Sequence, residues 1–208
     1  MVLKLSEALA VPPHGVNALL DAAGFAPCYA HSTLEADQLA PVHRAFQGLM
    51  TAHAPNPAYL LDRDWRLIRL NCAAARLLAH LGLTDGDSLL TLIADPARGA
   101  AVFENWAEVG HFALLRLRAE SRAAGGIEAL DRAASKLSLD PAVTNFSPAR
   151  PASPTLETRI RMGPNVLSLW SMMVQAGGAT DLALTDLRLE MLYPADAQAE
   201  AMLKAMDQ

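Results

Sequence analysis

The sequence predicts an α+β domain whose five-stranded antiparallel sheet has helices inserted after the second strand and a small helical segment in front of it. Three observations support this prediction. The apolar spacing changes from helical to strand-like near residue 58 and again after residue 155. A long stretch of helical spacing separates the second strand from the third. The strand connections that are short enough for hairpins suggest antiparallel pairing, because hairpins join antiparallel strands.

The first 56 residues read as helices. Residues 2–9 carry an amphipathic pattern that Pro12-Pro13 ends, and a second apolar stripe follows up to Gly24. A third helix starts near Pro41 and ends at Ala54-Pro55. Two short helices cannot bury their own apolar stripe, so we expect the first pair to pack on another part of the protein.

The middle of the chain predicts a hairpin and then a helical insert. Residues 58–61 and 65–70 read as strands around an Asp-rich turn, and Asn71 is a suitable N-cap for a helix over residues 72–81. Helices fill the insert, about residues 87–140, and the longest of them ends near Ala124.

The last third of the chain predicts a loop, three strands and a helix. Four prolines between residues 140 and 154 indicate a loop or crossover. Residues 156–162, 166–174 and 187–193 then read as strands. Pro194 ends the last strand, and Asp196 can cap a closing helix that runs to Met206.

Composition excludes several classes of protein. The chain has 208 residues, of which 52% are hydrophobic and 19% are charged, so it is not a disordered chain. A net charge of −5 argues against a broad basic face for nucleic acid. Two cysteines are too few for a disulfide scaffold and fit free thiols in the cytoplasm. The sequence shows no signal peptide and no apolar stretch long enough to cross a membrane.

The sequence contains none of the following catalytic-site motifs. It contains neither a phosphate-binding glycine motif nor a nucleophile elbow, and no pair of carboxylates is proposed for acid–base chemistry. Cys28 and His31 have zinc-like spacing, but no second pair stands nearby to complete four ligands. We therefore expect no catalytic residue, no metal and no cofactor other than a bound apolar ligand such as a fatty acid.

Large side chains in apolar elements are the best candidates for function. Trp65, Trp106 and Trp170 could fill the core or line an apolar cavity between the sheet and its helices. Asn71, Ser168 and Ser171 could supply the few polar groups that orient a ligand. The candidate ligand-binding residues are Leu61, Trp65, Asn71, Leu78, Trp106, Leu114, Ile160, Trp170, Met172 and Leu189.

Two sets of segments resemble known proteins. Residues 5–9 and 17–27 resemble the last two helices of an XRE-type, lambda-repressor-like helix-turn-helix domain. A second set resembles the PAS-like ligand-binding domain of MmyB-like transcription regulators, and the predicted element order is that of a PAS domain. The segments of the second set are residues 57–65, Asn71 with residues 73–78, Asp95-Pro96, Asn105-Trp106 and Leu187 to Asp196.

The resemblance implies a homodimeric regulator with a DNA-reading helix-turn-helix and a domain that binds an apolar, fatty-acid-like effector. It divides the chain into a truncated helix-turn-helix (1–28), a linker with a connecting helix (29–56), the PAS-like domain (57–194) and a C-terminal helix (195–208). The DNA-reading helix is expected upstream of Met1, and residues 1–56 carry two basic and four acidic side chains. DNA contact is therefore expected through the missing upstream helices, with no membrane contact.

The sequence thus predicts the effector-binding and dimerisation part of a bacterial regulator. A structural dimerisation module, in which the three tryptophans fill a solid core, remains the main alternative. An enzyme is a third possibility without a supporting motif.

Overall fold

The chain begins with two short helices, α1 (Val2–Ala8) and α2 (Pro13–Ala22), close to the positions that the apolar spacing predicts. The structure, a computed structural model, describes residues 1–30, 32, 37–148, 155–177 and 181–206. His31 and part of the predicted proline-rich loop, residues 149–154, lie outside the described residues.

Hydrogen bonds join the N-terminal helices to the segment that precedes the last strand. The side chain of Asn17 binds the backbone of Cys28 and Tyr29, which turns the chain back after α2. Ala30 then accepts a hydrogen bond of 2.8 Å from the N–H of Leu182. His14 Nε2 lies 2.7 Å from an Asp186 carboxylate oxygen. The helical pair is thus attached to residues 181–186.

A hairpin and a helix follow the connecting helix. The elements are α3 (Ala40–Ala52), β1 (Ala58–Leu61), β2 (Leu67–Leu70) and α4 (Cys72–His80). The predicted second strand started at Trp65, but β2 starts two residues later. The reason is the Asp62 carboxylate, which accepts hydrogen bonds from the N–H groups of Asp64 and Arg66 and holds a tight turn.

Four helices fill the predicted insert, α5 (Leu90–Ile93), α6 (Pro96–Val102), α7 (Trp106–Ala123) and α8 (Glu128–Leu137), and α9 (Pro141–Thr144) follows them. The short α9 occupies the beginning of the segment that was predicted as a loop. Asp140 caps it by accepting a hydrogen bond from the N–H of Ala142, while proline fits the first helical turn.

The remaining elements are β3 (Thr158–Met162), β4 (Asn165–Val174), α10 (Leu182–Thr185), β5 (Arg188–Pro194) and α11 (Ala197–Met206). All strand pairs are antiparallel, and the strand order across the sheet is β2-β1-β5-β4-β3. The predicted α+β class with one five-stranded sheet is therefore confirmed. The predicted domain boundaries stay predictions.

Each face of the sheet is covered by apolar packing. The outer face packs on α3, where Phe46 and Met50 contact Leu60, Leu187 and Leu189. The inner face packs on the helical insert, α4 and α11 in a larger core. Within the described ranges, no helix is both long and apolar enough to span a membrane.

Trp106 packs the helical insert together. A side-chain carbon on Gly99 of α6 would overlap its indole ring, and one on Gly110 of α7 would overlap Val143. The indole N–H donates a 2.8 Å hydrogen bond to Asp140, next to α9. Trp106 thus joins α6, α7 and α9, and the two glycines allow the helices to approach it.

Alanine substitutions at two helical glycines are expected to change stability in opposite directions. Gly99→Ala should lower the free energy of unfolding by about 1–3 kcal/mol, because overlap with the indole outweighs the better helix propensity. The carbon that Gly48→Ala adds in α3 has no neighbouring atom within 4 Å, so this substitution should raise the free energy of unfolding by roughly 0.5–1 kcal/mol. Urea denaturation measures both changes, and equal effects would contradict the proposed packing.

Candidate ligand-binding site

An apolar cavity of about 180 Å³ lies between the inner face of the sheet and helices α4 to α7. The sheet contributes Ile160, Leu169 and Leu192, and the helices contribute Leu77, Val109 and other apolar side chains. The wall is therefore mostly hydrocarbon, as is usual in small-molecule sites.

Four of the ten predicted ligand-binding residues line this cavity: Trp65, Leu78, Ile160 and Trp170. They come from the turn after β1, from α4, and from β3 and β4. Ser171, one of the predicted polar groups, also lines the cavity, whereas Ser168 does not.

The other six predicted residues are placed elsewhere. Leu61, Trp106 and Leu114 are buried in the inner core without lining the cavity. Leu189 faces α3, because strand residues alternate between the two faces and its neighbour Glu190 points inward. Met172 pairs with Met191 on the outer side and is 50% exposed.

Asn71 has a structural role instead of the predicted role at the cavity. Its side-chain oxygen accepts hydrogen bonds from the N–H groups of Ala58 and Ala74, which caps α4 and anchors β1. Its amide nitrogen donates to the carbonyl oxygens of Met50 and Asn56. One side chain thus ties the end of α3, the start of β1 and the start of α4 together.

Sequence reasoning missed a polar cluster on one wall of the cavity, where α7 crosses β1 and β5. The hydroxyl of Tyr59 donates a 2.9 Å hydrogen bond to the Glu190 carboxylate. Arg116 forms an ion pair with the other oxygen of that carboxylate. All three side chains line the cavity.

Glu120, one turn along α7, extends this cluster away from the cavity. It accepts a 2.7 Å hydrogen bond from Arg116 and a 2.8 Å hydrogen bond from the indole N–H of Trp65. It also forms an ion pair with Arg188, which donates to the carbonyl oxygen of Asp62. We call Arg116, Glu120, Arg188 and Glu190 the charge quartet, and it contains two cations and two anions.

Burial and charge shift the pKa values of Tyr59 and Glu120 in this cluster. Burial raises the pKa of Tyr59 well above its usual value, and the neighbouring charge of Glu190 raises it further. Burial acts to raise the pKa of Glu120, but the charges of Arg116 and Arg188 outweigh it and lower the pKa overall. The Tyr59 hydroxyl therefore stays protonated and Glu120 stays charged at neutral pH.

Trp65 is held in an unusual backbone conformation beside the quartet. Its φ of 58° lies in the left-handed region, which large side chains rarely adopt and which costs of order 1–3 kcal/mol. The guanidinium of Arg116 lies 4.6 Å from the centre of its ring, a cation–π distance. These contacts and the Glu120 hydrogen bond hold the indole at the cavity wall.

The sequence does contain signals for the missed residues. Arg116 and Glu120 have the i,i+4 spacing of a helical ion pair. Arg188 and Glu190 alternate with leucines in β5, and the period of two in a strand puts them on the opposite face from Leu187 and Leu189. That alternation could not show that the polar face is buried, because only the packing of α7 covers it.

The described part of the chain contains no cluster of three or more histidine, cysteine or acidic side chains that could hold a metal ion. Cys28 and Cys72 are exposed free thiols.

Most of the chain matches one known protein family. Residues 42–206 match the family described as the MmyB-like transcription regulator ligand binding domain, so the chain belongs to that family. The match begins within α3 and covers the whole sheet and the helical insert. The protein class is thus a ligand-binding domain of transcription regulators, which is not a class of enzyme.

A search of solved structures found a PAS domain, from Bordetella pertussis BvgS, at 16% identity and a TM-score of 0.37. The alignment covers 83% of this chain and 96% of that domain. No curated protein matches the chain.

Removal of the Asn71 side chain is expected to destabilise the fold more than removal of an ordinary helix cap. Asn71→Ala should lower the free energy of unfolding by about 2–3 kcal/mol, because a cap is lost and two carbonyl groups lose their donor. Asp95→Ala, which removes only the exposed cap of α6, should cost about 1 kcal/mol. Chemical denaturation compares the two variants, and equal losses would contradict the anchoring role.

Glu120 is expected to make stability depend on pH in the acid range. Its lowered folded-state pKa means that its stabilisation is complete above its ordinary value of 4.5 and is lost as the pH falls through the lower value. Glu120→Gln should therefore make the loss of stability below pH 4.5 less steep. At pH 7, the same substitution should lower the free energy of unfolding by about 3 kcal/mol.

Denaturation curves between pH 3 and 7 test this prediction. Glu128→Gln removes a carboxylate that is 83% exposed and should leave the acid slope as it is in the parent protein. An unchanged slope in Glu120→Gln would show that another group controls acid stability.

Proposed function

We propose that the chain is the effector-sensing part of a cytoplasmic bacterial transcription regulator, and that an apolar small molecule binds in the cavity. The apolar cavity between the sheet and the insert is the observation that carries this proposal. A fatty-acid-like alkyl portion suits the lining of Leu77, Leu78, Ile160 and similar side chains.

The cavity volume bears on the kind of ligand. Cavities of roughly 150 Å³ lined by hydrocarbon stay dry and admit a molecule such as benzene. At about 180 Å³, this cavity has room for a ring or a short alkyl segment, and a longer chain requires the lining side chains to move. A solid-core dimerisation module has no use for such a space, and this favours the sensing function over that alternative.

The sheet offers a route from the cavity to the N-terminal helices. In β5, Glu190 and Leu192 face the cavity while Leu189 and Met191 face α3. A ligand that binds one packing of this sheet better than another shifts the balance between them. We propose that the shift reaches α3 across the sheet.

The DNA-reading function is proposed for a helix-turn-helix unit of the same regulator. Residues 1–28 resemble the last two helices of such a unit, and α2 is attached to the segment before β5 through His14 and Asp186. The segment 181–186 leads directly into β5, one strand of the cavity wall. A homodimer, as the resemblance implies, would pair two such units on DNA.

A cavity-filling variant tests where the ligand binds. Ala113 lines the cavity on α7, so Ala113→Phe should weaken binding of 1-hexanol and 1-decanol at least tenfold while the protein stays folded. Fluorescence of Trp65, whose ring lies at the cavity wall beside Arg116, reports the binding. Ala119→Phe places the same ring on the exposed side of the same helix and should leave the affinity unchanged.

Unchanged affinity in Ala113→Phe would place the alcohols outside the cavity and would overturn the proposed site. Thermal denaturation of both variants shows whether a loss of binding reflects unfolding.

A further inference from the structure

We propose that the cavity selects apolar molecules whose polar end is neutral and hydrogen-bonding, such as an alcohol, an amide or a lactone, and discriminates against free carboxylates. This inference rests on the proposed function and names the chemical class of the ligand's polar end. It follows from the charge balance of the cavity wall and from the hydroxyl groups beside it.

The charged side chains of the cavity wall are already paired. Among the described residues that line the cavity, Arg116 and Glu190 are the charged ones, and they form an ion pair with each other. Arg116 also binds Glu120, whose second partner is Arg188. The charge quartet is therefore neutral as a whole and leaves no unpaired cation for a ligand.

A carboxylate at this wall would be a third anion beside two cations. A carboxylate that reached Arg116 would lie beside the carboxylates of Glu120 and of Glu190, which is only 5% exposed, and like charges at such a site repel each other. Displacing Glu190 instead would leave that buried charge with only the Tyr59 hydroxyl as a partner, which is strongly unfavourable. The ring of Trp65 and the Glu120 carboxylate also hold the Arg116 guanidinium in place, so it cannot follow a ligand freely.

Neutral hydrogen-bonding groups are available at the same wall. The hydroxyls of Thr158 and Ser171 line the cavity, and no residue in the described ranges forms a side-chain hydrogen bond with either. The Tyr59 oxygen donates its proton to Glu190 and can still accept a hydrogen bond. A ligand hydroxyl or amide can donate to or accept from these groups without adding charge.

A matched series of ligands tests the selectivity of the parent protein. The series is 1-decanol, decanamide, decanoate and decylammonium at pH 7.5, with the six-carbon analogues of each. The tryptophan fluorescence of the cavity wall measures their dissociation constants. We expect the alcohol and the amide to bind at least tenfold more tightly than decanoate or decylammonium of the same length.

A substitution in the quartet tests the cause of the selectivity. Glu190→Gln keeps an acceptor for Tyr59 and leaves the quartet with one excess positive charge. The affinity for decanoate should then rise at least tenfold relative to the affinity for 1-decanol, compared with the same ratio in the parent protein. Glu128→Gln, on the exposed surface of α8, is the matched control and should change neither affinity.

The possible outcomes separate this inference from the proposed function. If the parent protein binds decanoate as tightly as 1-decanol, the selectivity is overturned while the sensing of apolar molecules stands. If no member of either series binds, the proposed function fails and the selectivity with it. If folded Glu190→Gln does not raise the affinity for decanoate relative to that for 1-decanol, charge balance is not the cause. Should that variant fail to fold, the ranking in the parent protein still decides the selectivity.

Discussion

The charge quartet on the inner face of the sheet is the interaction on which the cavity depends. It joins α7 to β5 through Arg116 with Glu190 and through Glu120 with Arg188. Burial of four charges is costly unless each is paired, and here every member has a partner of opposite charge. This requirement positions α7 above the sheet at one place, and the space left beneath it is the cavity. The apolar packing around the quartet stabilises the fold but does not fix the position of α7, because hydrophobic contacts are not directional.

The second feature of general importance is that β5 is covered on both faces. Alternate residues of this strand face the cavity and the connecting helix α3. The two packing layers therefore share one backbone, that of β5. An antiparallel sheet often leaves one face in water, but here α3 packs on one face and the helical insert packs on the other. Under the proposed function, this shared strand is the path by which a packing change beside the cavity would reach α3.

Trp65 shows how local strain and the site are related. The left-handed backbone at this residue is unfavourable for a large side chain, yet the turn that Asp62 closes requires it. The indole is thereby turned inward, where it meets Glu120 and Arg116. The sequence prediction treated Trp65 as the first residue of a strand, and an extended backbone at this point would not produce the same contact.

Local signals in the sequence determined most of the elements of this protein. Proline positions, the capping residues Asn71 and Asp196, and the alternation in β3 and β5 predict their elements because these effects act within a few residues. Four of the ten candidate site residues line the cavity, since large apolar side chains in adjacent elements tend to share one core. Which face of β5 meets the cavity, the packing of Trp106 against Gly99, and the assembly of the charge quartet were decided only by the tertiary structure. Each depends on residues distant in sequence, such as Arg116 and Glu190, whose contact exists only after α7 has packed on the sheet.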